Sequence, residues 1–145
     1  MRGFVLIRTL CIAMMALLLV PQVIDAAKKE PITDKIVFVP HDSRPISSKQ
    51  TADVVQRVGY DVVVPPAELL GNREDWGHPD ELWTWLDTAL AQPGVKAAVI
   101  SSDAMIYGSL VGSRKHSYSR DQILARAARF DELRRSHPKT PLYVF

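Results

Sequence analysis

The sequence is nearly free of cysteine. Its 145 residues include one, Cys11, which lies inside an apolar segment at residues 10–20. The rest of the chain therefore cannot form a disulfide bond, a thiolate zinc site or a cysteine nucleophile. A chain without cysteine is suited to an oxidising compartment.

The sequence also lacks an excess of charge of either sign. It has 18 Lys and Arg residues against 16 Asp and Glu residues, a net charge of +2. Nucleic-acid binders carry a basic face, so a nucleic acid is not expected as a partner. Hydrophobic residues make up 47% and charged residues 23%, which excludes an intrinsically disordered chain. The length suits one domain.

The first 26 residues have the three-part form of a signal peptide. Arg2 and Arg8 form the positive region, and residues 10–20 form the apolar region. Such a run spans only about half of the hydrocarbon core of a bilayer. A longer, uncleaved anchor is the alternative, which Gln22 and Asp25 disfavour because they interrupt the apolar span. We therefore expect export to the periplasm or the extracellular space, with membrane contact only through this segment.

After a linker at residues 27–34, the chain alternates strand and helix. Short apolar runs predict strands at residues 35–40, 61–64, 95–101 and 142–145. Caps and apolar spacing predict helices between them, at residues 49–58, 79–92 and 121–135, with a long loop at 102–118. This order predicts a three-layer α/β fold, a parallel sheet with helices on both faces. The chain stops inside the fourth strand, so we expect residues 35–145 to be the incomplete, truncated N-terminal domain of a longer protein.

Two hydrophobic patterns predict which helix positions reach the core. In the last helix, one apolar stripe is expected to face the sheet: Ile123, Leu124, Ala127, Phe130 and Leu133. Among the three tryptophans, Trp85 has the spacing of a core residue. Trp76 and Trp83 are expected to cover the sheet edge, with an aromatic platform for sugars as the alternative.

Polar side chains follow the first predicted strand. Asp42 is a candidate catalytic base or metal ligand, and Arg44 is a candidate ligand-binding residue because its planar guanidinium can hold an anion. In the structural alternative, Asp42 bonds loop amides while Arg44 pairs with Asp42 or Asp103. His41 is predicted to be an ordinary loop residue.

A second polar group follows the third predicted strand. Asp103 is the second candidate catalytic carboxylate, and Ser101, Tyr107 and Arg114 are candidate ligand-binding residues. No serine lies in a Gly-x-Ser-x-Gly turn and no lysine completes a phosphate-binding loop, so neither a serine hydrolase nor a P-loop nucleotide site is predicted. The sequence leaves open whether a metal or cofactor is bound.

The two polar groups favour one strand order over another. In the flavodoxin-like order 2-1-3-4, strands one and three are neighbours and the switch point lies between them. Asp42 and Asp103 would then face one crevice, with Arg44 or Arg114 within reach of both. In the dinucleotide-fold order 3-2-1-4, strand two would separate the two polar loops.

Four motifs occur in order along the chain. They are Pro-His-Asp-Ser-Arg-Pro at residues 40–45, Pro-Pro-Ala-Glu-Leu-Leu-Gly at 65–71, Trp-Leu at 85–86, and Ser-Ser-Asp-Ala-Met-Ile-Tyr-Gly-Ser-Leu-Val-Gly-Ser-Arg at 101–114. Together they resemble a bacterial family known as domain of unknown function 4127. Against that family's pattern, His41 replaces a leucine, Ala104 a methionine and Ser109 a glycine. The family has no established activity, so the resemblance groups these residues and implies no reaction.

These observations favour a secreted hydrolase of envelope or extracellular material, with Asp42 and Asp103 as catalytic residues. The alternative is a non-catalytic binding domain for an anionic or sugar ligand, which would use the arginines with Tyr107. A third interpretation is a structural Asp–Arg network. A small molecule or a carbohydrate is thus the expected ligand.

Overall fold

Four parallel strands form the centre of the part of the chain that the computed structural model describes, residues 34–145. The strands are β1 (Lys35–Val39), β2 (Asp61–Val63), β3 (Val95–Ile100) and β4 (Leu142–Val144). Their order in the sheet is β2-β1-β3-β4. This confirms the predicted order 2-1-3-4 and makes β1 and β3 hydrogen-bonded neighbours.

Helices connect the strands. They are α1 (Lys49–Arg57), a 3₁₀ turn (Ala67–Leu69), α2 (Pro79–Leu90), α3 (Ser102–Tyr107), α4 (Gly112–Lys115) and α5 (Arg120–Ser136). The three predicted helices are confirmed to within a few residues at each end. The prediction of one long loop at residues 102–118 is wrong, because this segment contains both α3 and α4. Gly108, in a left-handed conformation, ends α3 after six residues.

The two faces of the sheet are covered unequally. On one face, Val37 and Ile100 pack with Trp83 and Leu86 of α2 and Leu133 of α5 in the larger hydrophobic core. On the other face, a smaller cluster is formed by three buried residues: Phe38, Ala52 and Val62. Helices therefore lie on both faces, as an α/β fold requires.

Helix α5 begins at a capping box: the hydroxyl of Ser119 accepts the backbone amide of Gln122, and the side-chain oxygen of Gln122 accepts the backbone amide of Ser119. Leu133 is buried as predicted, and Phe130 packs against the core. The predicted stripe is wrong at Leu124, which is exposed, because Arg126 is the buried residue of that turn of the helix. An arginine can be buried there because distant groups pair with it.

Trp83, predicted to cover the sheet edge, is the fully buried tryptophan of the core. Trp83 is buried, and its indole N–H donates to the carbonyl of Met105 at 3.0 Å. Its ring meets Phe130 edge-on, with centroids 4.8 Å apart. Trp85, the predicted core tryptophan, is half-buried and packs against the same core. The N–H of a buried indole needs a hydrogen-bond acceptor. For Trp83 this acceptor is the carbonyl of Met105, which only the folded chain brings close.

The predicted signal peptide at residues 1–26 and all but the last residue of the predicted linker lie outside the described residues. Within residues 34–145, no helix has both the length and the hydropathy that crossing a bilayer requires.

Candidate functional site

The loops that follow β1, β2 and β3 are joined by backbone hydrogen bonds. The amide of Ser43 donates to the carbonyl of Gly71 at 2.8 Å, and the amide of Gly71 donates to the carbonyl of Gly108 at 3.0 Å. The amide of Leu110 donates to the carbonyl of His41 at 3.1 Å. The polar segments that are separate in the sequence therefore form one surface at the carboxyl edge of the sheet, where α/β proteins bind ligands.

A close backbone approach fixes this surface at Gly108. Gly108 has φ +90°, and a Cβ atom there would lie 1.6 Å from the carbonyl oxygen of Trp76. Only glycine fits this position. The neighbouring Ser109 is fully buried against Gly71, where an added Cβ would lie 2.7 Å from the Ser109 Cβ, and its hydroxyl accepts the amide of Gly112 at 2.9 Å at the start of α4.

Asp42 is fully buried and is held by Arg44. The guanidinium donates to Asp42 Oδ2 through Nε at 2.9 Å and through Nη2 at 2.6 Å. The backbone amide of Arg44 donates to Asp42 Oδ1 at 3.1 Å. The side chain of Asp42 has 0% of its surface exposed, whereas that of Arg44 has 31%. Both carboxylate oxygens are therefore bonded within the loop itself.

The environment keeps Asp42 ionised. Burial acts to raise the pKa of Asp42, but the hydrogen bonds and charge of Arg44 outweigh it, so the pKa lies below its ordinary value. The same contacts raise the pKa of Arg44, chiefly through the side-chain hydrogen bond to Asp42. A fully buried carboxylate that is paired with a partly exposed guanidinium favours the structural interpretation of this pair. The predicted catalytic role of Asp42 stays a prediction.

A second group lies where β1 and β3 end side by side. Ser101 Oγ is 3.2 Å from His41 Nδ1, and Asp103 Oδ2 is 4.0 Å from the same nitrogen. The hydroxyl of Ser101, which is fully buried, also accepts the amide of Ala104 at 3.3 Å and so caps α3. The side chains of His41 and Asp103 are 36% and 30% exposed. The structure thus brings together one buried hydroxyl and two accessible titratable groups.

This arrangement is not a serine–histidine–aspartate triad. In a triad, the serine and the carboxylate bond opposite nitrogens of the imidazole. Here Ser101 and Asp103 both approach Nδ1 of His41. Ser101 is also buried, so its hydroxyl is suited to orienting the ring and not to attacking a substrate.

His41 is the functional candidate that sequence reasoning underrated. Its ring meets Phe145 edge-on, with centroids 4.9 Å apart, so the residue that follows β4 also orients it. The available signal was its position, directly beside Asp42 at the end of a parallel strand. That position alone did not reveal Ser101 and Asp103 on the neighbouring strand end.

Tyr107 and Arg114 lie farther along the same segment. The ring of Tyr107 packs beside that of His116 with centroids 4.8 Å apart, and Arg114 is exposed on α4. Within residues 34–145, no hydrogen bond or ion pair joins either residue to Asp103. Their predicted role in ligand binding stays a prediction.

No grouping of metal ligands occurs in the described part of the chain. Three or more His, Cys, Asp or Glu side chains that could hold one ion are not found together there. The oxygens of Asp42, one of the predicted candidates for a metal ligand, are already engaged by Arg44.

Comparison with known proteins places the chain in a family. A model of proteins of unknown function, DUF4127, matches residues 36–145. No curated protein and no solved structure gave a match. The matched range contains all four sequence motifs and the whole described sheet except its first residue. The chain therefore belongs to the DUF4127 family.

Proposed function

We propose that the protein is an exported hydrolase of envelope or extracellular material, with its reacting groups at the ends of β1 and β3. The observation that carries this proposal is the approach of His41 to Asp103, whose nearest polar atoms are 4.0 Å apart. Both side chains are partly exposed, whereas the neighbouring Asp42 is buried. Proton transfer to a substrate requires groups that the substrate and water can reach.

Asp42 has a positioning role in this proposal. Its carboxylate is ionised and bonded on both oxygens, so it is not free to exchange a proton with a ligand. It holds Arg44 and the loop that carries His41. Asp103 keeps the catalytic role that the sequence predicted, and His41 becomes its partner.

The surroundings of His41 suit a general base. The carboxylate of Asp103 favours a proton on Nδ1 of His41, and this N–H can donate a hydrogen bond to the hydroxyl of Ser101. Nε2 is then the unprotonated atom, which takes a proton from water as that water attacks the substrate and gives this proton to the leaving group as the bond to that group breaks. Asp103 stabilises the imidazolium that forms, as the carboxylate does in known triads. Arg114 supplies positive charge for an anionic part of the substrate.

The test is hydrolysis of chromogenic esters, phosphates and glycosides by the full-length protein and its variants. His41→Gln and Asp103→Asn are each expected to lower kcat by about 10²–10⁴-fold, because each removes a proton-transfer group. The unfolding midpoint should change little, since both side chains are partly exposed. Asp53→Asn is the matched control, because Asp53 forms only an exposed ion pair with Lys49. Full activity in His41→Gln would contradict the proposal.

A non-catalytic binding domain is the second candidate, and the exposed Arg114 favours it. Within residues 34–145, no ion pair engages this guanidinium, so its charge is available to an anionic ligand. Binding of an anion without turnover, lost in Arg114→Gln, would support this function over hydrolysis.

Export through residues 1–26 is part of the proposal. Mass spectrometry of protein recovered outside the cytoplasm should give an N-terminus at or near Ala27, because cleavage there would follow the small residue Ala26. An intact N-terminus on the exported protein would contradict cleavage.

A further inference from the structure

A separate cavity lies between the loops that follow β1 and β2. Its volume is about 380 Å³, within the range of about 300–1,000 Å³ that is typical of small-molecule sites. The side chains that matter for its chemistry are Ser43, Glu68, Asn72, Asp75, Trp76 and His78. None of these belongs to the His41–Asp103 group.

The backbone that forms the walls of this cavity is closely packed and hydrogen-bonded. A Cβ atom on Gly77 would lie 2.4 Å from the amide of Gly71 and 2.8 Å from the carbonyl of Gly108, so these backbones are in direct contact. The amide of His78 donates to Leu69 at 3.0 Å and closes the loop on itself. A site built in this way loses little conformational entropy when a ligand binds.

The cavity combines an aromatic wall with mixed polar groups. Trp76 is half-buried and lines the cavity beside polar side chains, and its ring meets that of Tyr118 edge-on, with centroids 6.4 Å apart. The side-chain amide of Asn72 donates to Asp75 Oδ2 at 3.1 Å, which leaves Oδ1 of Asp75 as an acceptor. Within residues 34–145, no hydrogen bond or ion pair engages the carboxylate of Glu68. Hydrogen-bond acceptors and donors beside an aromatic ring suit a ligand that has both many hydroxyl groups and an apolar ring face.

The charge of the lining narrows the ligand class. Glu68 and Asp75 are acidic and no Lys or Arg lines the cavity, so an anion would be repelled. Together with His78 these carboxylates do not form a group that could hold a metal ion. We propose that this cavity binds a neutral carbohydrate, with Trp76 as the platform for a sugar ring and Glu68 and Asp75 as acceptors for its hydroxyl groups. This site goes beyond the hydrolase proposal and requires no turnover.

The test is a titration of the full-length protein with chitotetraose, maltotetraose and cellotetraose, monitored by the NMR signals of the three indole N–H groups. The signal that Trp76→Phe removes is expected to shift with at least one of these neutral sugars. Trp76→Ala should weaken that binding by about tenfold or more, because the stacking surface is lost. Trp85→Phe is the matched control, since Trp85 is a half-buried tryptophan outside the cavity.

Glu68→Gln provides a second variant that does not disturb the packing of the loop, because Glu68 is exposed. Its affinity for the same sugar should fall by about threefold or more, since a charged acceptor becomes a neutral amide. Three results would overturn the proposal: no shift of the Trp76 signal at millimolar sugar, unchanged affinity in Glu68→Gln, or equal affinity for the trianion trigalacturonate. None of these results bears on the activity of His41 and Asp103.

Discussion

Two aspartate–arginine pairs in this protein are built in opposite ways. In the loop after β1, the carboxylate of Asp42 is fully buried and the guanidinium of Arg44 is partly exposed. Between α2 and α5, the guanidinium of Arg126 is 11% exposed and the carboxylate of Asp80 is 71% exposed. The first pair buries the anion and the second buries the cation.

The buried partner determines what each pair does. Arg44 supplies nearly all the bonds of a carboxylate that has left water, so it compensates a buried charge. Arg126 has further partners, because it donates to the carbonyl of Ile106 at 2.9 Å and lies 4.3 Å above the ring centroid of Tyr118. We infer that the first pair fixes the loop beside the candidate site, whereas the second is one of several contacts that dock α5.

The largest effect on stability is expected at the first pair. Arg44→Met should destabilise the protein more than Asp42→Asn, because it leaves a buried carboxylate without its cation. Asp42→Asn should lower the free energy of unfolding by about 2 kcal/mol, since it weakens the hydrogen bonds from Arg44. Urea denaturation of both variants measures the difference. Equal losses would mean that the carboxylate of Asp42 gains water when Arg44 is removed.

A smaller effect is expected at the second pair. Asp80→Asn should cost about 1 kcal/mol or less, because Asp80 is mostly exposed and Arg126 keeps its other partners. Arg126→Met should retain the packing of the aliphatic stem, whereas Arg126→Ala should cost more because it also loses that packing. Urea denaturation measures the loss in unfolding free energy for the three variants, and Arg126→Ala is expected to lose more than Arg126→Met. A loss in Asp80→Asn as large as that in Asp42→Asn would remove the contrast between the two pairs.

The pH dependence of stability provides the finest comparison. The pKa of Asp80 is lowered, chiefly by the hydrogen bond from Arg126, and that of Asp42 is lowered although its burial opposes ionisation. Both groups therefore stabilise the fold fully above an unfolded pKa of about 3.9, and this stabilisation is lost as the pH falls through their folded pKa values.

Unfolding free energies of the wild type should consequently fall as the pH drops below about 4. The fall should be shallower in Asp42→Asn and in Asp80→Asn, because the amide does not titrate. Urea denaturation between pH 7 and pH 2.5 measures both slopes. A slope identical to that of the wild type in Asp42→Asn would show that Asp42 titrates alike in the folded and unfolded states.

The two pairs also differ in how far the sequence could predict them. Asp42 and Arg44 are two residues apart, and a short polar turn after a strand is visible in the sequence, so their pairing was among the predicted alternatives. Asp80 and Arg126 are 46 residues apart, and Arg126 falls beside an apolar stripe that predicted Leu124 as the buried neighbour. Helical periodicity cannot reveal a partner on another helix.

The sequence by itself determined the strands, the longer helices and, through the polar loops after strands one and three, the strand order. These features follow from local patterns: runs of β-branched residues, caps, apolar spacing and the handedness of crossovers. Helices α3 and α4 were not predicted from the sequence, because six and four residues are too few to show a helical period of apolar residues. Only the tertiary structure decided that the carboxylate of Asp42 is buried and paired while that of Asp103 is partly exposed. It also decided which tryptophan is buried. Those outcomes depend on burial and hydrogen bonds between segments far apart in the chain, which no local pattern encodes.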